Sequence, residues 1–325
     1  MIVKPRKKPL HLQKLQALLR RTPPKHLKYP LIKEQLAKSI AGYKGEQSMD
    51  YPLSFLAEKQ YFIFHDLRLQ LNQHYFQIDT LILSPFFFLI LEIKNISGTI
   101  FFDQQFHQLI RTHNGYEESF PDPLLQIQRQ QSQLEKWLVK QKVANIPVCS
   151  LIVISNPKTV IRTSSENRYL SKKVIRRDFL PLKVEQLESL YNNEALSINE
   201  MKKVIRHLKK HDTSYNPPIL KQYQIMQEQL QKGVYCTKCN HLPMIRTQGT
   251  WFCSACHIKD KTAHIPALKD YLLLVKPTIT NGETRKFLLM NNAAATTRLL
   301  RSLNITYSGT NKGRVYSLSF KEEDL

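Results

Sequence analysis

A chain of 325 residues with 42 % hydrophobic content is long enough for two or three domains and for at least one sizeable core. Its 48 Lys and Arg against 26 Asp and Glu give a formal net charge of +22, a balance that fits a polyanionic partner, either nucleic acid or an acidic membrane surface. Nucleic acid leads and a membrane is not expected, because the longest apolar run falls well short of the roughly 20 residues a bilayer requires and no basic amphipathic anchor stands out.

The opening stretch, MIVKPRKKPLHLQKLQALLRR, spreads its leucines at helical spacing among basic and polar residues. It lacks the continuous apolar segment of a signal peptide, so residues 1–29 read as a basic helical extension and the protein as cytoplasmic. From residue 30 to about 205 helical and strand patterns alternate. Leu31, Leu36, Ile40 and Tyr43 recur roughly helically, with Gly42 and Gly45 weakening that helix. The segments KQYFIFHDLRL, HYFQIDTLILS, FFFLILEIKN, GTIFFD and FHQLIRTHNG then read as strands, rich in aromatic and β-branched residues and separated by short polar or Gly/Pro breaks. A helix is predicted from Asp122, whose carboxylate can cap while Pro123 takes the first helical position. IPVCSLIVIS follows as a strand covered on both faces. This order predicts an α/β domain with helices packed on a central mixed sheet.

Glu92 and Lys94 interrupt the apolar run FFFLILEIK, where an unpaired charge costs on the order of several kcal/mol. If Ser84-Pro85 is a two-residue turn, Asp79 lies opposite Ile90, on the face of Glu92 and Lys94 and diagonal to Glu92. Diagonal main chains are roughly 7–8 Å apart, close enough for two carboxylates to lean onto one cation. Mutual repulsion makes that arrangement sensible mainly around Mg²⁺ or Mn²⁺, with Lys94 beside the metal to orient or deprotonate a water and to stabilise charge on a phosphate. Alone, the Glu-x-Lys signal is weak. Glu200-Met201-Lys202 has the same spacing in a segment that reads as a solvated helix face, and structural ion pairs outnumber catalytic ones. Gln126 shares a helix face with Gln130 and Gln133, opposite Ile127, Leu134 and Leu138, either as a polar stripe for substrate or as a solvated face. Glu46 by itself reads as a surface glutamate. Phosphate-binding loops, dinucleotide fingerprints, nucleophile elbows and zinc-protease motifs are all missing.

GYKGE (Gly42 to Glu46), Asp79 in QIDTLIL, LEIKNISGTI and DPLLQ (Asp122 to Gln126), in this order and at these separations, resemble the nuclease-related domain, NERD, over roughly residues 30 to 155. That domain resembles the PD-(D/E)xK superfamily, with its restriction-endonuclease-like sheet, and within it the Holliday-junction-resolvase-like branch. The resemblance implies Asp79 and Glu92 as metal-binding acids, Lys94 as the motif lysine, Glu46 as the helix glutamate that completes the acidic cluster, and Gln126 as the glutamine following an Asn-Pro pair. Here that pair is Asp122-Pro123, which caps a helix equally well and adds negative charge. The implied activity is hydrolysis of a DNA phosphodiester by water, assisted by one or two Mg²⁺ or Mn²⁺ ions and without a covalent intermediate. The alternative is a non-catalytic nucleic-acid-binding protein that keeps the fold.

Further along, Cys236-x2-Cys239, thirteen residues and Cys253-x2-Cys256 form two metal-biting pairs, and four thiolates suit Zn²⁺ in a closed structural site. Neither pair sits at a strand-to-helix junction, which disfavours a redox role. Residues 213–262 resemble a zinc ribbon, too short to fold without its metal. In it Trp251 and Phe252 either pack on the knuckles or stack a base, and His241 and His257 adjoin the site. Cys149, the fifth cysteine, fits an apolar strand as a small hydrophobe. Residues 265–325 read as helix, helix and two strands around Gly309 to Gly313, and resemble a compact winged-helix module. Arg298, Arg301, Lys312 and Arg314 are its expected nucleic-acid contacts; a small packing tail is the other reading. Zinc ribbons and basic charge do not separate DNA from RNA.

Overall fold

The computed structural model describes residues 1–56, 60–143, 145–164 and 169–320, and for Lys312 the backbone only. The chain begins with β1 (Ile2–Lys4), α1 (Leu10–Arg21), α2 (Tyr29–Gln47) and the single turn α3 (Asp50–Leu53). Next come β2 (Phe62–Leu71), β3 (His74–Leu83), β4 (Phe88–Lys94), β5 (Thr99–Asp103), β6 (Gln108–His113), β7 (Tyr116–Pro121), α4 (Pro123–Lys140), β8 (Val148–Ile154) and β9 (Val160–Thr163). They are followed by α5 (Leu170–Lys173), β10 (Val174–Arg176), α6 (Leu180–Leu190), α7 (Ile198–His211) and α8 (Ile219–Tyr223). Two compact units result, Met1–Lys8 with Lys38–Tyr215, and Pro9–Ala37 with Asn216–Leu325. The expected N-terminal extension is therefore divided between them. Among the described residues no helix is long and apolar enough to cross a membrane.

In the first unit a six-stranded mixed sheet runs in the order β1-β2-β3-β4-β8-β10. β4 alternates its apolar residues between two cores, as a strand buried on both faces must. Phe88 and Ile90 pack with Leu134 and Trp137 of α4 and with Met201 and Val204 of α7. Leu89 and Leu91 pack with Leu53 of α3 and with Leu180 and Val184 of α6. The result is the expected mixed sheet with helices on both faces. A second sheet, β7-β6-β5-β9, packs Ile100, Phe102 and Leu109 on Leu124 and Ile127 of α4. Its edge strand β7, YEESFP, is almost wholly exposed, so it carries no apolar alternation by which it could be read from sequence.

The β3–β4 connection corrects the expected register. Leu81, not Asp79, lies opposite Ile90. Ser84 closes a longer turn by accepting the Phe87 amide on its Oγ at 3.1 Å, while its own amide reaches the Phe87 carbonyl. The slip is two residues, an even number, so Asp79 keeps its face. Continued by one residue, the observed register sets Asp79 directly opposite Glu92. A second irregularity lies across the hairpin at Asp66, whose φ of 51° interrupts the ladder between His65↔Thr80 and Leu67↔Ile78. Inward-facing parity flips at that point. Phe64 and Leu81 on one side of it, and Leu67, Leu69, Phe76 and Ile78 on the other, all enter the same core, and Asp79 sits at the break.

The second unit continues with β11 (Ile245–Thr247), β12 (Thr250–Phe252), β13 (Lys259–Asp260), α9 (His264–Leu274), β14 (Thr278–Thr280), α10 (Asn281–Leu288), α11 (Ala293–Ser302), β15 (Tyr307–Ser308) and β16 (Val315–Ser317). The cysteine-bearing sheet is β11-β12-β13 and the last one is β14-β16-β15. Cys236, Cys253, Trp251, Leu268, Tyr271, Phe287, Leu300 and Tyr316 share one core, so residues 213–262 and 265–325 fold against each other. α1 is tied in by Arg21, fully buried, whose Nε lies 2.8 Å from Asp270 Oδ2.

Candidate functional site

α4 begins where the sequence places it. Asp122 Oδ1 accepts the Leu124 amide at 2.8 Å with Pro123 in the first turn, so Gln126 and Gln130, one turn apart, point the same way. Both reach Glu92, which is 4 % exposed. Its Oε1 accepts from Lys94 Nζ at 2.8 Å and from Gln126 Nε2 at 2.7 Å, and its Oε2 accepts from Gln130 Nε2 at 2.8 Å. Lys94 Nζ also donates to Gln126 Oε1 at 3.0 Å. Glu92, Lys94 and Gln126 thus form a closed triangle. Its ionic and amide donors offset the desolvation of the carboxylate.

Asp79 Oδ2 accepts the Ile93 amide at 2.8 Å, which fixes its carboxylate beside Glu92. Burial first, then the charges of Glu92 and Glu46, raise the Asp79 pKa well above the usual carboxylate range. Glu46 arrives on α2, and Gly45 makes that approach possible. A Cβ at Gly45 would lie 2.5 Å from Asn95 Cβ and 2.9 Å from Ser155 Oγ, and Asn95 Nδ2 donates to the Ala41 carbonyl at 2.7 Å. Glycine is required here by contact, not by backbone conformation. Burial, with the charges of Asp66 and Glu92, holds the Glu46 pKa up at about 7 against the pull of Arg6.

Two participants were not identified as such from sequence. Gln130 was visible only as a face-mate of Gln126; the i, i+4 spacing was its signal. It donates also to the Gln77 carbonyl at 3.0 Å, and its Oε1 is buried without a hydrogen-bond partner. Arg6, 40 residues before Glu46, lies 3.0 Å from Glu46 Oε2 and carries no sequence signal. His65, which contacts both Arg6 and Thr80, has its pKa lowered to about 3 by burial and then by Arg6 and Lys4.

Glu46, Asp79, Glu92, Lys94 and Gln126 therefore occupy one neighbourhood. The three carboxylates, however, do not converge tightly. Among the described residues the four cysteines are the only set of three or more His, Cys, Asp or Glu side chains whose ligand atoms all lie within 4.8 Å of one another. Cys236 and Cys256 sulfurs are 3.6 Å apart, and those of Cys239 and Cys253 are 3.5 Å apart. Zn–S bonds of about 2.3 Å imply tetrahedral sulfurs about 3.8 Å apart, so this cluster can hold zinc. Each pair is set by the same turn. Asn240, at φ 59°, donates its amide to the Cys236 carbonyl, and His257, also at φ 59°, donates its amide to that of Cys253. His241 hydrogen-bonds Ser254 and His257 lies against Phe252. Trp251, 1 % exposed, belongs to the core, so of its two expected roles packing is the one it has.

In the C-terminal module Arg298 and Arg301 are exposed on α11, whose Asn292 cap accepts the Ala295 amide at 2.9 Å. Arg314 stacks over Tyr307 at 4.2 Å. The Lys312 side chain lies outside the described residues.

No curated protein and no solved structure matches the chain. Residues 41–155, the segment that holds Glu46, Asp79, Glu92, Lys94, Gln126 and Gln130, match the family model of the nuclease-related domain, NERD: the chain carries a nuclease-related domain.

Proposed function

We propose that this domain is a metal-dependent phosphodiesterase acting on DNA, a PD-(D/E)xK-type nuclease in which Asp79 and Glu92, assisted by Glu46, hold Mg²⁺ or Mn²⁺. The observation that carries this reading is Glu92 itself, a buried carboxylate held by a lysine and two glutamines inside a match to a nuclease-related family. The donor set fits a hard divalent cation. It offers only oxygens, its carboxyl groups at Asp79 and Glu46 are pushed toward protonation by burial and by neighbouring carboxylates, and Gln130, whose amide holds Glu92, has an orphaned acceptor in Oε1. A bound ion supplies Lewis acidity toward phosphate and lowers the pKa of a water. Lys94 contributes a cation oriented by two acceptors, able to stabilise charge developing on a phosphate oxygen. Gln126 sets the Lys94 ammonium and Gln130 sets the Glu92 carboxylate, so both are preorganised.

The second unit supplies binding. α9, β14, α10, α11, β15 and β16 follow the helix-strand-helix-helix-strand-strand order of a winged helix. Arg298 and Arg301 lie on its third helix and Arg314 on its hairpin, alongside the backbone of Lys312. A chain of net charge +22 that neutralises phosphates binds with affinity falling steeply in salt. Zn²⁺ at the four cysteines holds the ribbon to which this module is packed.

One observation favours the non-catalytic alternative: Glu46 is engaged by Arg6 and does not converge with Asp79 and Glu92. Calorimetric titration of Mn²⁺ into zinc-loaded protein separates the readings. Binding lost in Asp79→Asn and Glu92→Gln, with Mn²⁺-dependent cleavage of DNA lost in folded Glu92→Ala and Lys94→Ala, is the expected result. Salt-dependent DNA binding without Mn²⁺ binding or cleavage leaves a binding module.

A further inference from the structure

Arg6 is a buried cation set against the acids of the candidate site. β1 runs parallel to β2, with Ile2 against Ile63 and Lys4 against Phe64, and the chain beyond it carries Arg6 to α2. The Arg6 side chain is 5 % exposed. Nη1 lies 3.0 Å from Glu46 Oε2, Nε 3.4 Å from Asp50 Oδ1 and Nη2 3.0 Å from His65 Nδ1. A guanidinium only donates, so His65 Nδ1 accepts and its imidazole is neutral, with the proton on Nε2. The charge of Arg6 is thus answered by Glu46 and, at the surface, by Asp50.

Glu92 and Glu46 are held in different ways. Glu92 is bound by Lys94, Gln126 and Gln130, all within its own strand and the facing helix. Glu46 is bound by a residue 40 positions away. This long-range ion pair holds the Glu46 carboxylate at Arg6, and the three acids do not converge within ligand distance.

Resting on the function proposed above, we infer that Arg6 is an intramolecular counter-ion that competes with the divalent cation for the Glu46 carboxylate. Metal uptake at the acidic cluster then requires the guanidinium to leave Glu46. On leaving, it is a bidentate donor suited to phosphate and already beside the site. The free protein is in this way kept at low metal affinity by the segment that follows its first strand.

The competition has a sign that a purely structural ion pair does not share. A structural pair, once broken, loosens α2 and weakens or leaves unchanged any binding that uses Glu46. A competitor, once removed, tightens it. Mn²⁺ is titrated calorimetrically into zinc-loaded wild type, Arg6→Gln and Arg6→Lys, each checked for native circular dichroism. The expected result is Mn²⁺ binding about tenfold tighter in Arg6→Gln. Arg6→Lys, which keeps a charge but loses the two-pronged fork, should fall between it and wild type. If Arg6→Gln does not fold, Arg6→Lys decides alone, by tightening or failing to tighten. Wild-type binding that is equalled or weakened in the folded variants overturns the competition and leaves the metal site standing. Absence of Mn²⁺ binding in wild type and variants alike overturns the metal site and the competition together.

Discussion

The carboxylate cluster around Glu92 and the four-cysteine cluster around Cys253 are both candidate ligand sets, and they are built in opposite ways. The cysteine sulfurs lie 3.5 and 3.6 Å apart across the two pairs and reach those distances through two copies of one local turn. The carboxylates come from α2, β3 and β4, and each is satisfied by the protein: Glu92 by Lys94, Gln126 and Gln130, Asp79 by the Ile93 amide, Glu46 by Arg6. Hard oxygen anions find cations and amides among the twenty side chains; thiolates find few, and four of them converge for a metal. One site is therefore preformed to hold an ion, and the other is a prepaid set of charges whose partners must be exchanged or shared if a metal enters.

Removing zinc gives the largest effect this contrast predicts. Cys236 and Cys253 are part of the core that also holds Tyr271, Leu300 and Tyr316, so a strong chelator or Cys253→Ser should unfold the second unit as a whole, read as loss of its melting transition in calorimetry while the first unit's transition persists. Survival of both transitions would show that the thiols are not structural. Glu92→Ala should come next, lowering the stability of the first unit by about 2–4 kcal/mol in urea titration, because three donors lose their acceptor. Glu92→Gln, which retains one acceptor, should cost less, and equal losses would mean that the hydrogen bonds contribute little.

Smaller effects sharpen the same picture. Gly45→Ala forces a Cβ into Asn95 and should destabilise by about 1–3 kcal/mol. Gly42, with open space around its Cβ position, should tolerate alanine with a gain of about 0.5–1 kcal/mol; equilibrium unfolding of the two variants side by side checks the difference. The mildest is a pH dependence. The Glu46 pKa is held at about 7 in the native state against an unfolded value of about 4.3, so the native state binds the extra proton between these values. Stability contributed by this group is present below about 4 and is lost as pH rises through about 7. Asp79 acts in the same direction. In Glu46→Gln the fall in melting temperature between pH 5 and pH 8 should be shallower than in wild type, and an unchanged slope would assign it elsewhere.

Local chemistry was legible from the chain. The Asp122 cap and Pro123, the strand run from Phe62 to His113, the double-sided β8 and the paired cysteines all depend on neighbours within a few residues, and propensity, period and spacing report such neighbours directly. The turn at Ser84 defeated the expected register because a side-chain hydroxyl lengthened it, a detail that the dipeptide Ser84-Pro85 does not encode. β7 left no pattern because an exposed edge strand buries too little to impose one.

What the sequence alone determined about this protein is therefore its list of ingredients: a basic chain, an α/β domain carrying an acid and a lysine on one strand, and a thiol cluster fixed by its own spacing. Tertiary structure alone decided which ingredients meet. Arg6 reaches Glu46 through β1, Gly45 admits α2 against Asn95, and the ribbon shares its core with the C-terminal helices, because each of these contacts links residues far apart in the chain and none leaves a local period or spacing to be read.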